Sequence, residues 1–129
     1  MKYLGIDYGE KRIGLAASDD GGQFAFAREV IPNDEKAIGM IAARFIEEDA
    51  DRVVIGIPAI ASGGANPVES RIRAFAEALE AHINAPVIFE NEQWSSREAT
   101  RFAPGGVKSD AVSAAIILQR YLDAHPPSA

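Results

Sequence analysis

Cysteine is absent from the 129-residue chain, which excludes disulfides, a thiolate nucleophile and a cysteine-ligated zinc site. Histidine is scarce, because only His82 and His125 occur and they do not form a metal-binding spacing. Structural or solvated roles are favoured for both. Any bound metal is therefore expected to have hard oxygen ligands, which the 19 acidic residues supply.

Long apolar runs are also lacking. No segment approaches the roughly 20 apolar residues that a membrane-spanning helix needs, and the chain enters strand-like sequence at Tyr3 without a signal-peptide core. These absences predict a cytoplasmic protein with no membrane segment. Internal repeats and low-complexity linkers are missing too, so one domain is expected over residues 1–129, with a frayed tail at about 125–129.

Positive charge is in short supply, with 13 basic against 19 acidic residues and a formal net charge of −6. This balance argues against a protein that grips nucleic acid through a broad electrostatic surface. A nucleic-acid-binding function would require a local concentration of basic residues or the participation of metal ions. The mixture of 47% apolar and 25% charged residues is that of an ordinary globular domain.

What the sequence does contain begins with short strands joined by tight turns. The strands are predicted at Tyr3–Tyr8, Arg12–Ser18 and Phe24–Ile31. Gly9 and the Asp-Asp-Gly-Gly segment at 19–22 supply residues that tolerate the positive φ of such turns. An antiparallel meander is therefore expected.

Helices and strands alternate over the rest of the chain. Asn33 or Asp34 is predicted to cap a first helix, in which apolar residues recur at spacings of three and four. Its buried face is expected to comprise Ile38, Ile41, Ala42, Phe45 and Ile46. The next segment, Arg52–Ile57, lacks alternation, which favours a central parallel strand covered on both faces.

A second helix is predicted to begin at Asn66-Pro67-Val68-Glu69, which places a cap, a first-turn proline and an N3 glutamate in order. It should end before Pro86. Its core stripe is expected to comprise Val68, Ile72, Phe75, Ala76, Leu79 and Ile83. A short strand at Val87–Phe89 follows.

Two further helices complete the chain, a short one at Ser95–Phe102 and a last one capped by Ser109 and ending near Ala124. The order β-β-β-α-β-α-β-α-α predicts an α/β fold. Its sheet should be five-stranded and mixed, with an antiparallel three-strand meander extended by two parallel strands and flanked by helices. The RNase H-like architecture is one member of this set.

Asp7 is the first candidate functional residue. Strand alternation sets it on the face opposite Leu4 and Ile6, near the carboxyl end of its strand. On the same side of the sheet, Gly14 and Ala16 of the neighbouring strand leave room for an ion. The alternative is that Asp7 only starts an Asp-Tyr-Gly turn, where aspartate commonly bonds to its own backbone.

Two further carboxylates are candidates. Asp110 lies in the first turn of the last helix, where the helix dipole alone favours an anion, but the small Ser113 would let that turn approach the sheet. Glu92 follows the last predicted strand at its carboxyl end, where ligands gather in open α/β sheets. Glu90 is its rival, and a merely solvated glutamate is the alternative for both.

Three converging carboxylates would suit Mg²⁺ or Mn²⁺, and two such ions about 4 Å apart can clamp the attacking and leaving oxygens of a phosphodiester. Five basic residues flank the candidates in sequence and are predicted to contact phosphate. They are Lys11, Arg12, Arg97, Arg101 and Lys108. The alternative is ordinary surface charge, just as Tyr8 and Trp94 suit either base stacking or core packing.

Three segments together resemble the YqgF/RuvX family: Gly-Ile-Asp-Tyr-Gly at 5–9 with Lys-Arg-Ile-Gly at 11–14, the 91–96 segment, and Ser-Asp-Ala-Val-Ser-Ala-Ala at 109–115. The resemblance implies an RNase H-like fold and a phosphodiesterase acting on structured nucleic acid, either pre-16S rRNA or branched DNA such as Holliday junctions. It also implies that Asp7, Glu92 and Asp110 are the acidic triad, whereas Glu90 does not match.

The chain departs from the family around Glu92, where Gln93 replaces a usual arginine and Asn91 a usual aspartate. Lost charge there weakens the expected grip on phosphate. Two other functions stay open: an actin-like ATPase fragment, for which the chain is short of a second lobe, and a binding module without useful turnover. The sequence leaves both monomer and homodimer open.

Overall fold

The computed structural model describes residues 1–58, 67–92 and 110–126. Its strands are β1 (Tyr3–Tyr8), β2 (Arg12–Ser18), β3 (Ala25–Pro32), β4 (Arg52–Pro58) and β5 (Val87–Glu92). Its helices are α1 (Ala37–Glu47), α2 (Pro67–Ile83) and α3 (Asp110–Ala124). The predicted helix at 95–102 lies outside the described residues.

The five strands form one mixed sheet in the order β3-β2-β1-β4-β5. β2 pairs antiparallel with both β1 and β3, and β4 pairs parallel with both β1 and β5. The β2–β3 register shifts between Leu15 and Ala16, which marks a β-bulge. The predicted sheet is confirmed, and β1 lies at its centre.

One face of the sheet, here called the apolar face, packs against α1 and α2. Large side chains fill most of it, because Leu4 and Ile6 of β1 and Ile13 and Leu15 of β2 alternate onto this face. The fully buried members from the sheet are Leu4, Ile6, Ile13, Leu15, Ala17, Val53 and Ile55. Ile41, Ile72 and Leu79 of the two helices close this core.

The opposite face, here called the α3 face, carries smaller side chains. Its core joins Ala16 and Val54 of the sheet to Ala114, Ile117 and Leu118 of α3. α3 alone covers this face among the described helices, and it contacts all five strands. Within those same ranges, no helix combines the length and the apolar character that a bilayer crossing requires.

Three details of the helices correct the sequence predictions. α1 begins at Ala37, and its N-cap is Lys36 without a side-chain cap. Neither Asn33 nor Asp34 caps it, because Asp34 Oδ1 instead accepts a hydrogen bond from the Lys36 amide at 2.9 Å. The predicted core residue Ile46 is 76% exposed, since it follows Phe45 by about 100° around the helix.

Val68 was also predicted to be core but is 40% exposed. It lies in the first turn of α2, one turn before Ile72, which is the first buried residue of that helix. The predicted bounds of α2 are confirmed, since the helix begins at Pro67 and ends at Ile83, before Pro86.

Candidate functional site

Asp7 belongs to β1 itself, because the strand continues to Tyr8, and it is half-buried. It faces α3, since Gly5 on the same side of the strand lies directly beneath that helix. A Cβ added at Gly5 would come within 2.8 Å of Leu118 Cβ. In the β1–β2 register Asp7 pairs with Gly14. Because glycine has no side chain, this pairing leaves the space beside Asp7 that the sequence predicts.

Gly14 is also the point where α3 reaches the sheet. A Cβ built on Gly14 would lie 1.9 Å from the carbonyl oxygen of Asp110 and 2.7 Å from the amide nitrogen of Ala111. Only glycine therefore allows this approach. Because paired residues in an antiparallel ladder have Cα atoms about 4.5–5.5 Å apart, Asp7 and Asp110 flank the same glycine. The structure thus places the backbone of two of the three predicted ligand residues against the same glycine.

Asp110 has a cationic partner in this arrangement. Arg12 Nε lies 3.1 Å from Asp110 Oδ2, and the two side chains are 65% and 36% exposed. Arg12 reaches the α3 face because it stands two residues before Gly14 on β2. The residue predicted to contact phosphate therefore pairs, in this structure, with a predicted metal ligand.

The turn between β1 and β2, residues 9–11, is held in part by Asn33, the residue directly after β3. The Gly9 amide donates to the Arg12 carbonyl at 2.9 Å, and the Asn33 amide donates to the Lys11 carbonyl at 3.0 Å. The Asn33 side chain also donates through Nδ2 to the Gly9 carbonyl at 2.6 Å. Sequence reasoning missed this role of Asn33, for which its position directly after β3 is the only signal.

Two contacts join this turn region to α2. Arg71 Nη1 lies 2.6 Å from Glu10 Oε1, but both side chains are more than half exposed, so the pair contributes at most about 1 kcal/mol. The Tyr8 ring lies 4.9 Å from the Phe75 ring. Of the two alternatives for Tyr8, packing against the core is the one observed, on the face opposite Asp7.

Glu92 corrects one prediction, because β5 extends to this residue and Glu92 is the last residue of a strand, paired with Pro58. Glu90 pairs with Gly56 and is half-buried. β4 lies between β1 and β5, so the strand that carries both glutamates does not adjoin the strand of Asp7. The Glu92 side chain lies outside the described residues.

The remaining predicted contacts, Trp94, Arg97, Arg101 and Lys108, also fall outside the described ranges. Within those ranges, no three histidine, cysteine, aspartate or glutamate side chains are grouped closely enough to hold a metal. The pair of Asp7 and Asp110 nevertheless fits a hard divalent cation, because both donors are carboxylates and Asp110 already attracts a cation.

Comparison with known proteins identifies relatives of this chain. The sequence profile of the RuvX family, described as a Holliday junction resolvase family, matches residues 1–124. A Bordetella pertussis protein named "Putative pre-16S rRNA nuclease" is 37% identical over 122 residues, covering 93% of this chain and 92% of the relative. A relative of the same name from Chloroflexus aggregans is 39% identical over 131 residues, with 94% and 92% covered.

A solved structure supports the fold independently. Thermus thermophilus RuvC in complex with a Holliday junction substrate aligns with a TM-score of 0.58 at 15% identity, covering 96% of this chain and 95% of that chain. An identity this low shows the fold alone, and the RNase H-like architecture is confirmed. The profile match and the relatives above 30% identity go further: the chain belongs to the RuvX family.

Proposed function

We propose that this protein is a divalent-metal-dependent nuclease that hydrolyses phosphodiester bonds in structured nucleic acid, with pre-16S rRNA as the substrate and Holliday-junction-like DNA as the alternative. The observation that carries the proposal is the convergence of Asp7 and Asp110 on Gly14, at the carboxyl end of the central strand. Family membership and the names of the relatives support the reaction class.

The ligands in this proposal are Asp7, Glu92 and Asp110. Bound Mg²⁺ or Mn²⁺ would supply an activated water and charge stabilisation at the phosphate. The chain's own carboxylates fix where that charge is held, because Gly14 sets the spacing of α3 from β1. The strand that ends at Glu92 is separated from the strand of Asp7 by β4.

Substrate contact is assigned to basic side chains around these carboxylates. Lys11 and Arg12 are exposed beside a turn that Asn33 holds in place, and the Arg12 guanidinium already lies next to Asp110. Arg97, Arg101 and Lys108 are proposed to add phosphate contacts from the segment that precedes α3. This local concentration offsets the overall charge of −6.

The test compares Asp7→Asn, Glu92→Gln and Asp110→Asn with the matched control Glu90→Gln. Each variant is first checked by circular dichroism, and Mn²⁺-dependent cleavage of a pre-16S rRNA fragment and of a four-way DNA junction is then measured. The three variants should lose about 100-fold or more of the activity, since a lost ligand removes several kcal/mol of charge stabilisation. Glu90→Gln should keep it.

Undiminished cleavage in all three folded variants would rule out the mechanism. Equal losses in Glu90→Gln and a retained activity in Glu92→Gln would move the third ligand to Glu90. Preference between the two substrates at matched concentration decides between RNA and junction DNA.

A binding module without useful turnover is the second candidate, favoured by Gln93 standing where relatives of this kind usually carry arginine. It predicts RNA binding that persists in EDTA, with no cleavage at any Mn²⁺ concentration. Size-exclusion chromatography with light scattering on the same samples determines whether the active species is a monomer or a homodimer.

A further inference from the structure

Arg12 is placed to do more than contact phosphate. Its guanidinium lies 3.1 Å from the Asp110 carboxylate, while Asp110 and Asp7 flank the same glycine. We infer that Arg12 is an exchangeable counterion: it occupies Asp110 when no metal is bound, and it passes to a substrate phosphate when metal takes its place. This inference rests on the proposed function, because it needs Asp110 as a metal ligand.

Exposure decides whether such an exchange is feasible. A buried ion pair cannot be broken without leaving a costly unpaired charge, whereas an exposed pair is screened by water and holds weakly. With Arg12 65% and Asp110 36% exposed, the pair belongs to the weak class. A divalent cation carries twice the charge of a guanidinium and binds carboxylate oxygen at shorter range, so it should win this competition.

The turn geometry decides where the guanidinium goes once it is released. The Arg12 carbonyl accepts a hydrogen bond from Gly9, and the neighbouring Lys11 carbonyl accepts one from Asn33. The backbone at Arg12 is thus anchored, and only the side chain has freedom to move. A released guanidinium therefore stays beside the site, where its planar donors match the oxygens of a phosphate.

A competing arrangement makes the opposite prediction. If Arg12 held Asp110 Oδ2 while Oδ1 bound the metal, Arg12 would orient the ligand, and its removal would weaken metal binding. Exchange predicts instead that removal strengthens metal binding. The sign of the change in metal affinity therefore separates the two roles.

The experiment measures Mn²⁺ binding to the full-length, metal-free protein by isothermal titration calorimetry, without nucleic acid. Arg12→Ala should bind Mn²⁺ about two- to fivefold more tightly than wild type, the range expected when one exposed ion pair no longer competes. With Mn²⁺ present it should also bind a non-cleaved RNA more weakly than wild type, because it lacks the guanidinium that wild type releases to phosphate, and this difference should shrink in EDTA. Arg12→Lys, which keeps the charge, should lie between the two proteins in both measurements.

Lys11→Ala is the matched control, because it removes one positive charge from the same turn without touching the Arg12–Asp110 contact. General electrostatics would tighten Mn²⁺ binding equally in both alanine variants, whereas exchange predicts a clearly larger effect for Arg12→Ala. An unchanged or weakened Mn²⁺ affinity in Arg12→Ala, or an equal gain in Lys11→Ala, would overturn the inference.

Asp7→Asn and Asp110→Asn separate this failure from failure of the proposed function. If either variant loses Mn²⁺ binding while Arg12→Ala shows no gain, the metal site stands and the counterion role is wrong. If neither variant affects Mn²⁺ binding, the proposed metal site is itself wrong, and the exchange falls with it.

Discussion

The two faces of the sheet are built on opposite principles. The apolar face is filled by leucine, isoleucine and valine side chains that interlock with α1 and α2. On the α3 face, helix and sheet approach each other at Gly5 and Gly14, where there is no side chain at all on the strand. Side-chain packing stabilises the first face, whereas a close approach of the helix backbone to the strands defines the second.

This difference shows where precision is required. In a packed core, stability is spread over many side-chain contacts, so no single pair of atoms has to keep one fixed distance. The contact between Gly14 and the Asp110 carbonyl allows no such tolerance. It sets the position of a candidate ligand relative to Asp7, which is why the α3 face carries the candidate chemistry and the apolar face does not.

The largest expected effect on stability comes from the apolar face. Ile41→Ala removes a fully buried side chain of α1 and should lower the free energy of unfolding by about 2–5 kcal/mol. Urea denaturation measures this loss. Cleavage by the folded fraction at low temperature should stay close to wild type, and a large drop in that rate would break the proposed separation of the two faces.

Gly14→Ala should have a smaller effect on stability and a much larger one on activity. The added methyl group would meet the Asp110 carbonyl at 1.9 Å, so α3 has to move, at a cost of about 1–3 kcal/mol. Because the movement displaces Asp110 from Asp7, cleavage and Mn²⁺ affinity should both fall strongly. Urea denaturation and calorimetry on the same preparation check the two effects.

Gly39→Ala supplies the control for that substitution, because it makes the same chemical change on an exposed position of α1 with nothing within 4 Å. It should stabilise the protein by about 0.5–1 kcal/mol through helix propensity and leave cleavage unaltered. Normal Mn²⁺ affinity in Gly14→Ala would show that the close approach does not position the ligand.

The smallest expected loss of stability concerns the charges around Glu48, at the carboxyl end of α1. Burial alone would raise the pKa of Glu48, but Lys2 at 3.1 Å and Arg28 at 3.0 Å outweigh it and hold the pKa below its ordinary value. A lowered pKa means that the stabilisation is present at neutral pH and is lost as pH falls below about 4.5. Glu48→Gln should therefore cost about 1–2 kcal/mol at pH 7.

The measurement for Glu48→Gln is stability against pH by urea denaturation. The gap between variant and wild type should close on the acidic side, while cleavage at pH 7 stays unchanged. A gap that is constant from pH 7 down to pH 3 would show that charge is not the cause. A loss of cleavage would show that ion pairs on both faces, and not Arg12–Asp110 alone, bear on the site.

Much of this architecture could be predicted from local patterns. Alternation placed Asp7 opposite Leu4 and Ile6, and the unalternating strand at Arg52–Ile57 was correctly assigned to the interior of the sheet. Such features depend on neighbours a few residues apart. The family resemblance added the choice of Glu92 over Glu90, which no described contact tests.

Long-range partners could not be predicted in the same way. Asn33 fits a helix cap by type, but it bonds Gly9 across 24 residues. The end of β5 was missed because Glu90, Asn91 and Glu92 have weak strand propensity, and only pairing with β4 keeps them extended. The Arg12–Asp110 contact joins residues 98 positions apart. It depends on the register of β1 and β2 and on the position of α3 against the sheet.

The β-bulge between β2 and β3 has a consequence for the protein at high concentration. β3 is an edge strand, and the side chains of Phe26 and Val30 on it, and of Phe24 directly before it, are exposed. A flat, apolar edge of this kind invites strand addition from another chain and hence aggregation. The irregular register and the terminal Pro32 both make this edge a poorer template for such strand addition.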